Sequence, residues 1–160
     1  MKRVFILCLT ACFLSGALHA EPQDNKKAPK PKPQVAVLKP ALADVPYGKH
    51  PKQALDFYRA ESDKPAPLLL YIHGGGWMNG SKKPAGEFAA YLKAGISVAS
   101  IEYRFIPEAT ADGEKPPVRG PLHDAARALQ FVRSKAKEWN IDKKRIGASG
   151  GSAGACSSLW

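Results

Sequence analysis

The sequence predicts an α/β domain in which a mostly parallel central sheet is flanked by helices. Residues 67–72 and 96–101 are continuous apolar runs, as in strands buried on both faces of a parallel sheet. Residues 124–139 instead repeat apolar side chains every three or four positions, which indicates an amphipathic helix. Strands that alternate with helices are the pattern of α/β folds. The length of 160 residues favours a single domain.

The elements predicted for the domain are one alternating series of strands and helices. In chain order they are strands at 53–58 and 67–72, a helix at 83–94, a strand at 96–101, a loop at 106–121, a helix at 124–139, a strand at 144–149 and a helix from Ala153. The first strand alternates with period two. Gly95 is a good residue to end the first helix, and the loop is rich in Pro, Gly and acids.

The helix at 124–139 carries much of the predicted core on one face. Its apolar stripe consists of Ala125, Ala128, Leu129, Val132, Ala136 and Trp139. Asp124 stands at the predicted start of this helix, where it would act as an N-terminal cap or a first-turn acid. His123, beside it, is therefore not expected to be a catalytic base.

The start of the chain, residues 1–20, has the pattern of a secretory signal peptide rather than of a folded element. Two cations open it, residues 4–14 are apolar, and Ala20 supplies a small residue before a polar stretch. The apolar part is too short to span a membrane. We therefore expect a secreted or periplasmic protein whose mature chain begins near Glu21.

The cysteine pattern predicts no disulfide within the mature chain. Cys8 and Cys12 leave with the signal peptide, so Cys156 has no partner. Residues 9–12 resemble a lipoprotein signal that ends at Cys12, but the residues after it stay mostly apolar, so lipid attachment is disfavoured. Cys156 is expected to pack as a small buried hydrophobe. Catalysis by its thiol is disfavoured because the neighbouring motif is centred on a serine.

A linker rich in lysine and proline is expected at residues 21–43, followed by the folded domain at residues 44–160. Alternating lysines and prolines favour an extended, charged tether. The formal net charge is +10, and much of it lies near the amino terminus. No nucleic-acid motif accompanies this charge, so we interpret it as solvated surface and expect no nucleic-acid partner. No transmembrane span is expected.

Residues 150–154, Gly-Gly-Ser-Ala-Gly, fit the G-x-S-x-G pattern of a nucleophile elbow. The pattern alone is weak, but here an apolar strand precedes it and a helix of small residues follows. The serine of such an elbow sits on a sharp, strained turn, so bulky residues in place of Gly150 and Gly154 would clash. The new helix also points its first amides toward the hydroxyl. Ser152 is therefore the candidate nucleophile.

Residues 73–77, His-Gly-Gly-Gly-Trp, directly follow the strand predicted at 67–72. Three glycines let the backbone approach a substrate and point its N–H groups at one place, as stabilisation of the oxyanion in acyl transfer requires. A phosphate-binding loop is the alternative, but the sequence lacks G-x-x-x-x-G-K-[ST], and G-x-G-x-x-G follows neither core strand. No cofactor and no metal is expected.

Together these motifs resemble the hormone-sensitive-lipase-like branch of the α/β-hydrolase family, and more closely its bacterial feruloyl-esterase-like (BD-FAE) relatives. The resemblance covers about residues 44–160 and lies in the segments 73–77, 102–104, 124–132, 141–142, 145–146 and 150–154. It implies the α/β-hydrolase fold. It is specific for the family and does not identify the substrate.

The resemblance also implies a role for each matching residue. Ser152 would be the nucleophile, and the oxyanion-hole amides would be those of Gly75, Gly76 and Ala153. Structural support of the site would come from His73, Gly74, Trp77, Gly150 and Gly154, with Tyr103 and Arg104 near its floor. Within that set, His73 would anchor the glycines by hydrogen bonds and Trp77 would wall the acyl pocket.

The catalytic triad is incomplete in this sequence. The family order is Ser, then Asp or Glu, then His, but neither an acidic residue nor a histidine follows Ser152. His50, His73 and His123 all precede it. We therefore expect an N-terminal fragment of a hydrolase, without the C-terminal strands, the triad acid and the triad base, and we expect this fragment to be inactive.

The leading hypothesis is a secreted serine hydrolase that cleaves carboxylic esters, either small molecules or esters linked to polysaccharide. An amidase of the kynurenine-formamidase type is an alternative, because residues 73–77 also match its H-G-G-x-W pattern. A signal peptide argues against that intracellular role. A non-catalytic binding module on a hydrolase scaffold is a second alternative, and the intact Ser152 and glycines argue against it.

Overall fold

The computed structural model describes residues 38–83 and 86–160. The predicted signal peptide and most of the predicted linker lie outside these residues. The described elements are β1 (Leu42–Pro46), β2 (Ala54–Tyr58), β3 (Ala66–Ile72), α1 (Phe88–Lys93), β4 (Ser97–Ile101), α2 (Ile106–Ala111), α3 (Arg119–Lys135), β5 (Ile141–Ser149) and α4 (Ala153–Leu159). Strands and helices alternate from β3 onward, which confirms the predicted α/β class.

Five strands form one sheet in the order β1-β2-β4-β3-β5. β3 is parallel to both of its neighbours, β4 and β5, whereas β1 and β2 join antiparallel at the other edge. The sequence pattern does not reveal β1, which begins at Leu42 inside the predicted linker. As a largely exposed edge strand, β1 lacks the apolar run that marks the central strands.

The core covers both faces of the sheet. On one face, α3 packs its apolar stripe on the sheet, and the buried members of this cluster include Leu70, Ile72, Ala125, Ala128, Val132, Ala136 and Trp139. Phe57 of β2 stacks on Trp139 with the ring centroids 4.6 Å apart. On the other face, Phe88 of α1 packs with Tyr58 and Val98. The predicted stripe is thus confirmed, and burial stabilises the fold by about 1.5–3 kcal/mol for each large apolar side chain.

The first helix is shorter than predicted. α1 begins at Phe88 rather than at residue 83. Lys83 precedes Pro84, and the residue before a proline is disfavoured in the helical region, while Gly86 is a weak helix former. The predicted end is confirmed, because α1 ends at Lys93 and Gly95 follows with a φ of 76°.

A helix, α2, occupies part of the segment 106–121, so the predicted continuous loop is wrong. Pro107 lies in the first turn of α2, where the N–H it lacks would have no intrahelical acceptor. The carboxylate of Glu108 accepts the N–H of Phe105 at 2.9 Å, which secures the start of the helix. Proline in this segment therefore starts a helix instead of marking a loop.

The next helix, α3, begins at Arg119 and ends at Lys135, earlier at both ends than the predicted 124–139. Pro121 lies in its first turn, where proline is again tolerated. Trp139 lies beyond the helix, in a turn, and its backbone N–H donates to the Lys135 carbonyl at 2.9 Å. That turn keeps the indole in the core although it is no longer helical.

β5 begins at Ile141, before the predicted start at residue 144. Its pairing with β3 is interrupted between Ile141 and Ile146. In this irregular segment Asp142 accepts hydrogen bonds from the Arg145 guanidinium at 2.7 Å and from the Lys144 N–H at 2.9 Å, and these bonds lower the pKa of Asp142. Because the residues at the start of β5 are polar, the strand does not begin with the apolar run that predicts the later part.

The last helix, α4, begins at Ala153 as predicted. It packs against β3, β5 and α3, on the face of the sheet that α3 covers. Across residues 38–83 and 86–160, no helix combines the length and the apolar character needed to cross a membrane.

Candidate active site

Parallel pairing of β3 and β5 brings the two predicted motifs together. Tyr71 in β3 pairs with Ser149 in β5, so the segments that follow both strands leave the same edge of the sheet. A Cβ added to Gly74 would lie 2.7 Å from the Gly151 carbonyl oxygen and 3.6 Å from the Ser152 Cβ. The glycine motif therefore lies directly against the turn that carries Ser152.

The turn at Ser152 has the strained backbone expected of a nucleophile elbow. Ser152 has φ 52° and ψ −119°, so a non-glycine residue stands at positive φ just before α4. Ser152 is exposed. Such conformations cost about 1–3 kcal/mol and persist where the surroundings impose them. A Cβ on Gly150 or on Gly154 would lie 2.0 or 1.9 Å from the Ile72 carbonyl oxygen. Glycine at both positions is thus a steric requirement.

The glycine loop, which we define as residues 73–82, exposes backbone amides beside this turn. Gly75, Gly76 and Trp77 have φ values of 107°, 63° and 57°. The N–H groups of Met78 and Asn79 donate to the Gly75 carbonyl at 3.0 and 3.2 Å and close a turn. Among the hydrogen bonds of the described residues, none uses the N–H of Gly75 or Gly76. These two amides are therefore available to an oxyanion.

The amide of Ala153 is the third one assigned to the oxyanion hole. Ala153 is the first residue of α4, where an N–H has no acceptor within its own helix. Its backbone directly follows Ser152, so its amide lies at the same turn as the serine hydroxyl.

His73 is buried and anchors the loop rather than facing the serine. Its Nδ1 lies 2.8 Å from the Gly74 carbonyl oxygen and its Nε2 lies 3.0 Å from Oε1 of Glu102. Its ring stacks on Tyr103, with centroids 4.2 Å apart, and the Tyr103 hydroxyl donates to the His73 carbonyl at 2.8 Å. Burial raises the pKa of Tyr103, so its hydroxyl stays a donor. Both imidazole nitrogens are thus within hydrogen-bond distance of oxygen atoms of the loop and of Glu102, as expected of a residue that anchors the loop.

Trp77 connects the glycine loop to α4. Its indole Nε1–H donates to the Ser157 hydroxyl at 3.0 Å, and that hydroxyl donates to the Ala153 carbonyl at 2.9 Å. The side chain is partly buried against the core. Its assignment as a wall of the acyl pocket stays a prediction.

Cys156 is exposed, so the prediction of a buried cysteine is wrong. The next residue, Ser157, takes the buried position on α4. Ser157 lies on the same side of α4 as the buried Ala153 and Gly154, and Cys156 lies off that side.

Asp124 is not a helix cap, contrary to the sequence prediction, because α3 begins before it. Its carboxylate is fully buried and accepts hydrogen bonds from the Arg104 backbone N–H at 2.9 Å, the Arg104 Nη2 at 2.8 Å and the Gln53 amide at 2.7 Å. The hydrogen bond with Asp124 raises the pKa of Arg104 despite the opposing effect of burial. Asp124 thus ties α3 to the end of β4 and to the segment before β2.

Sequence reasoning missed two further residues that support the glycine loop. Glu102 directly follows β4 and contacts His73, and Lys82 lies at the far end of the loop. One signal for Glu102 is present in the sequence, since an acidic residue stands immediately after a fully buried strand. No local pattern marks Lys82.

Comparisons with known proteins show which family this sequence resembles. The sequence profile of the BD-FAE family matches residues 55–159. The chain is 37% identical over 113 residues to gut esterase 1 of Caenorhabditis elegans, covering 64% of this chain and 19% of that protein. It is 32% identical over 116 residues to esterase LipC of Mycobacterium tuberculosis, covering 69% of this chain and 27% of LipC.

A solved structure of a truncated form of a carbohydrate esterase from gut microbiota has a similar fold. The TM-score is 0.63 at 31% sequence identity, over 73% of this chain and 41% of that one. This chain thus spans well under half the length of each of these three proteins. From the profile match, which extends over more than half of the sequence, it follows that the chain belongs to the BD-FAE family and has an α/β-hydrolase fold.

Proposed function

We propose that this chain carries the nucleophile and the oxyanion hole of a serine hydrolase that cleaves carboxylic esters. The observation that supports this most is the strained Ser152, held against a glycine loop in which the N–H groups of Gly75 and Gly76 have no partner within the described residues. Backbone strain at Ser152 and the unpaired N–H groups of Gly75 and Gly76 at one place are expected where a reaction needs a preorganised site.

In the proposed mechanism the Ser152 oxygen attacks the ester carbonyl carbon and forms a tetrahedral oxyanion. A general base takes the serine proton and then gives it to the departing alcohol, which leaves an acyl-enzyme that water hydrolyses. The amides of Gly75, Gly76 and Ala153 would bind the oxyanion. Losing one such donor costs about 2.7–4 kcal/mol in comparable enzymes. The described residues supply no assigned base or orienting acid for this step.

The proposed substrate is an ester on a carbohydrate or a small molecule. The similarity to a carbohydrate esterase from gut microbiota favours the carbohydrate. A formamidase-type amidase remains the second candidate because residues 73–77 fit its motif too. Turnover of an acetylated sugar against turnover of a formamide, measured with one preparation of the full-length enzyme, separates the two.

The nucleophile assignment is tested with a fluorophosphonate probe on the full-length enzyme. The label is expected on the peptide that contains Ser152 and is expected to be absent from Ser152→Ala. A label on any other residue, with Ser152 unmodified, would contradict the proposed function. An unlabelled but folded enzyme would favour the binding-module alternative.

Residues 21–160 expressed alone are expected to be largely insoluble and to take up no fluorophosphonate. β5 is the outer strand of the sheet within the described residues, which leaves unpaired backbone groups on its far side. Leu159 and Trp160 are 89% and 64% exposed, and Trp160 lines an apolar cavity of about 220 Å³. Size-exclusion chromatography and an ester assay test this. A soluble monomer with robust turnover would overturn the assignment of the base outside these residues.

We also propose that the protein is exported and that its signal peptide is removed. The support is the sequence pattern of residues 1–20. N-terminal sequencing of the mature protein is expected to begin near Glu21. Retention of residues 1–20 would contradict export by this route, and a lipid on Cys12 would identify a lipoprotein instead.

A further inference from the structure

One carboxylate contacts both ends of the glycine loop. Oε1 of Glu102 lies 3.0 Å from Nε2 of His73, the first residue of the loop. Oε2 accepts the backbone N–H of Lys82, the last residue of the loop, at 3.3 Å. A carboxylate can only accept hydrogen bonds, so both contacts are of the same kind and each occupies one oxygen.

The backbone of Glu102 is itself fixed on both sides. Its N–H donates to the Ala54 carbonyl at 2.9 Å, and its own carbonyl accepts the hydroxyl of Tyr47. Burial raises the pKa of Tyr47, and the negative charges of Asp124 and Glu102 raise it further, so this hydroxyl remains a donor. The side chain of Glu102 is only 17% exposed. The carboxylate therefore starts from a rigid position at the end of β4.

The far end of the loop has a second attachment that does not involve Glu102. The Lys82 ammonium lies 2.8 Å from Oδ1 of Asp44 and 2.7 Å from Oδ1 of Asp56. Burial alone would lower the pKa of Lys82, but the hydrogen bonds to these carboxylates outweigh it and raise the pKa. The Lys82 side chain thus secures that residue to β1 and β2, while its backbone N–H remains with Glu102.

We propose that Glu102 is a positioning residue that sets the oxyanion hole through the two ends of the glycine loop. It acts through the His73 ring and the Lys82 amide and has no contact with substrate. Gly75 and Gly76 lie between these two ends, so their N–H directions depend on both contacts. This inference rests on the proposed function, because it assigns those amides to the oxyanion.

The test is Glu102→Gln in the full-length enzyme, assayed with 4-nitrophenyl acetate. Glutamine keeps the shape but offers one acceptor oxygen, and its NH₂ would face either His73 Nε2–H or the Lys82 N–H. One end of the loop is then released. We expect kcat to fall by about 100-fold, as on loss of an oxyanion-hole donor. KM is expected to change by less than about threefold, because an oxyanion contact acts in the transition state.

The matched control is Asp142→Asn. Asp142 also accepts one backbone N–H and one side-chain N–H, but it lies at the start of β5, at the opposite end of the strand from the site. Its kcat is expected to stay within about twofold of the wild type. A folded Glu102→Gln enzyme with wild-type kcat overturns the proposal. A fall in kcat for Asp142→Asn that equals the fall for Glu102→Gln also overturns it. Ser152→Ala, assayed in parallel, reports separately on the proposed function.

A second variant decides the matter if Glu102→Gln does not fold. Gly80 is exposed and has a φ of 114°, and a Cβ there would lie 2.3 Å from Nδ1 of His73 and 2.6 Å from the Gly74 carbonyl oxygen. Gly80→Ala therefore displaces the His73 ring from Glu102 while the carboxylate remains. The same loss of kcat with little change in KM is expected. Wild-type kcat in a folded Gly80→Ala enzyme would overturn the role of the His73–Glu102 contact.

Discussion

Ser152→Ala is expected to lower kcat of the full-length enzyme toward a nitrophenyl ester by about 10⁶-fold, as nucleophile removal does in other serine hydrolases. The alanine variant cannot form the acyl-enzyme, and no other described hydroxyl occupies the elbow. A residual rate of about 10³-fold over water is expected, since an intact oxyanion hole still stabilises attack by water. Steady-state kinetics measures the fall in kcat, and labelling with the fluorophosphonate probe measures the loss of the nucleophile.

Ser158→Ala is the matched control for the nucleophile. Ser158 lies on α4 near Ser152, and its hydroxyl donates to the Ala155 carbonyl at 2.7 Å, within the same helix. Its removal is expected to change kcat by no more than about twofold. An alanine variant at Ser152 that retains the parent rate would show that another residue is the nucleophile.

Gly154→Ala is expected to destabilise the protein by about 3 kcal/mol and to remove most of its activity. The added Cβ would lie 1.9 Å from the Ile72 carbonyl oxygen and 2.8 Å from that of His73. Both acceptors are backbone atoms at the end of β3, which is paired on both sides and cannot move away. The elbow must therefore shift, and with it the Ser152 hydroxyl. The melting temperature and kcat/KM measure the two effects.

Gly151→Ala provides the comparison within the same motif. A Cβ at Gly151 meets no atom within 4 Å. The same substitution is therefore expected to change stability by no more than about 0.5 kcal/mol. Equal melting temperatures for the two variants would show that the close approach of Gly154 to β3 is not a constraint on the fold.

The sequence by itself was enough to predict the α/β class and the two motifs of the candidate site. Apolar runs reveal the buried strands β3 and β4 because burial on both faces requires apolar residues throughout. The spacing of the elbow is also a local signal, because a Cβ on Gly150 would lie 2.9 Å from the carbonyl carbon of Gly154. The clash of both positions with the Ile72 carbonyl oxygen arises only once β3 pairs with β5. Ser152 could therefore be predicted from the spacing of its neighbours.

The hydrogen bonds that support the site were decided by tertiary structure. Gln53 and Asp124 are separated by 71 positions and form one buried hydrogen bond, which turns an expected helix cap into a link between α3 and the segment before β2. His73 and Glu102 are separated by 29 positions, and the parallel pairing of β3 and β4 brings them together. Two polar side chains that are distant in sequence become partners only when the order and register of the strands bring them together. The spacing of residues along the sequence determines neither strand order nor register, because both depend on which faces of the whole sheet are buried.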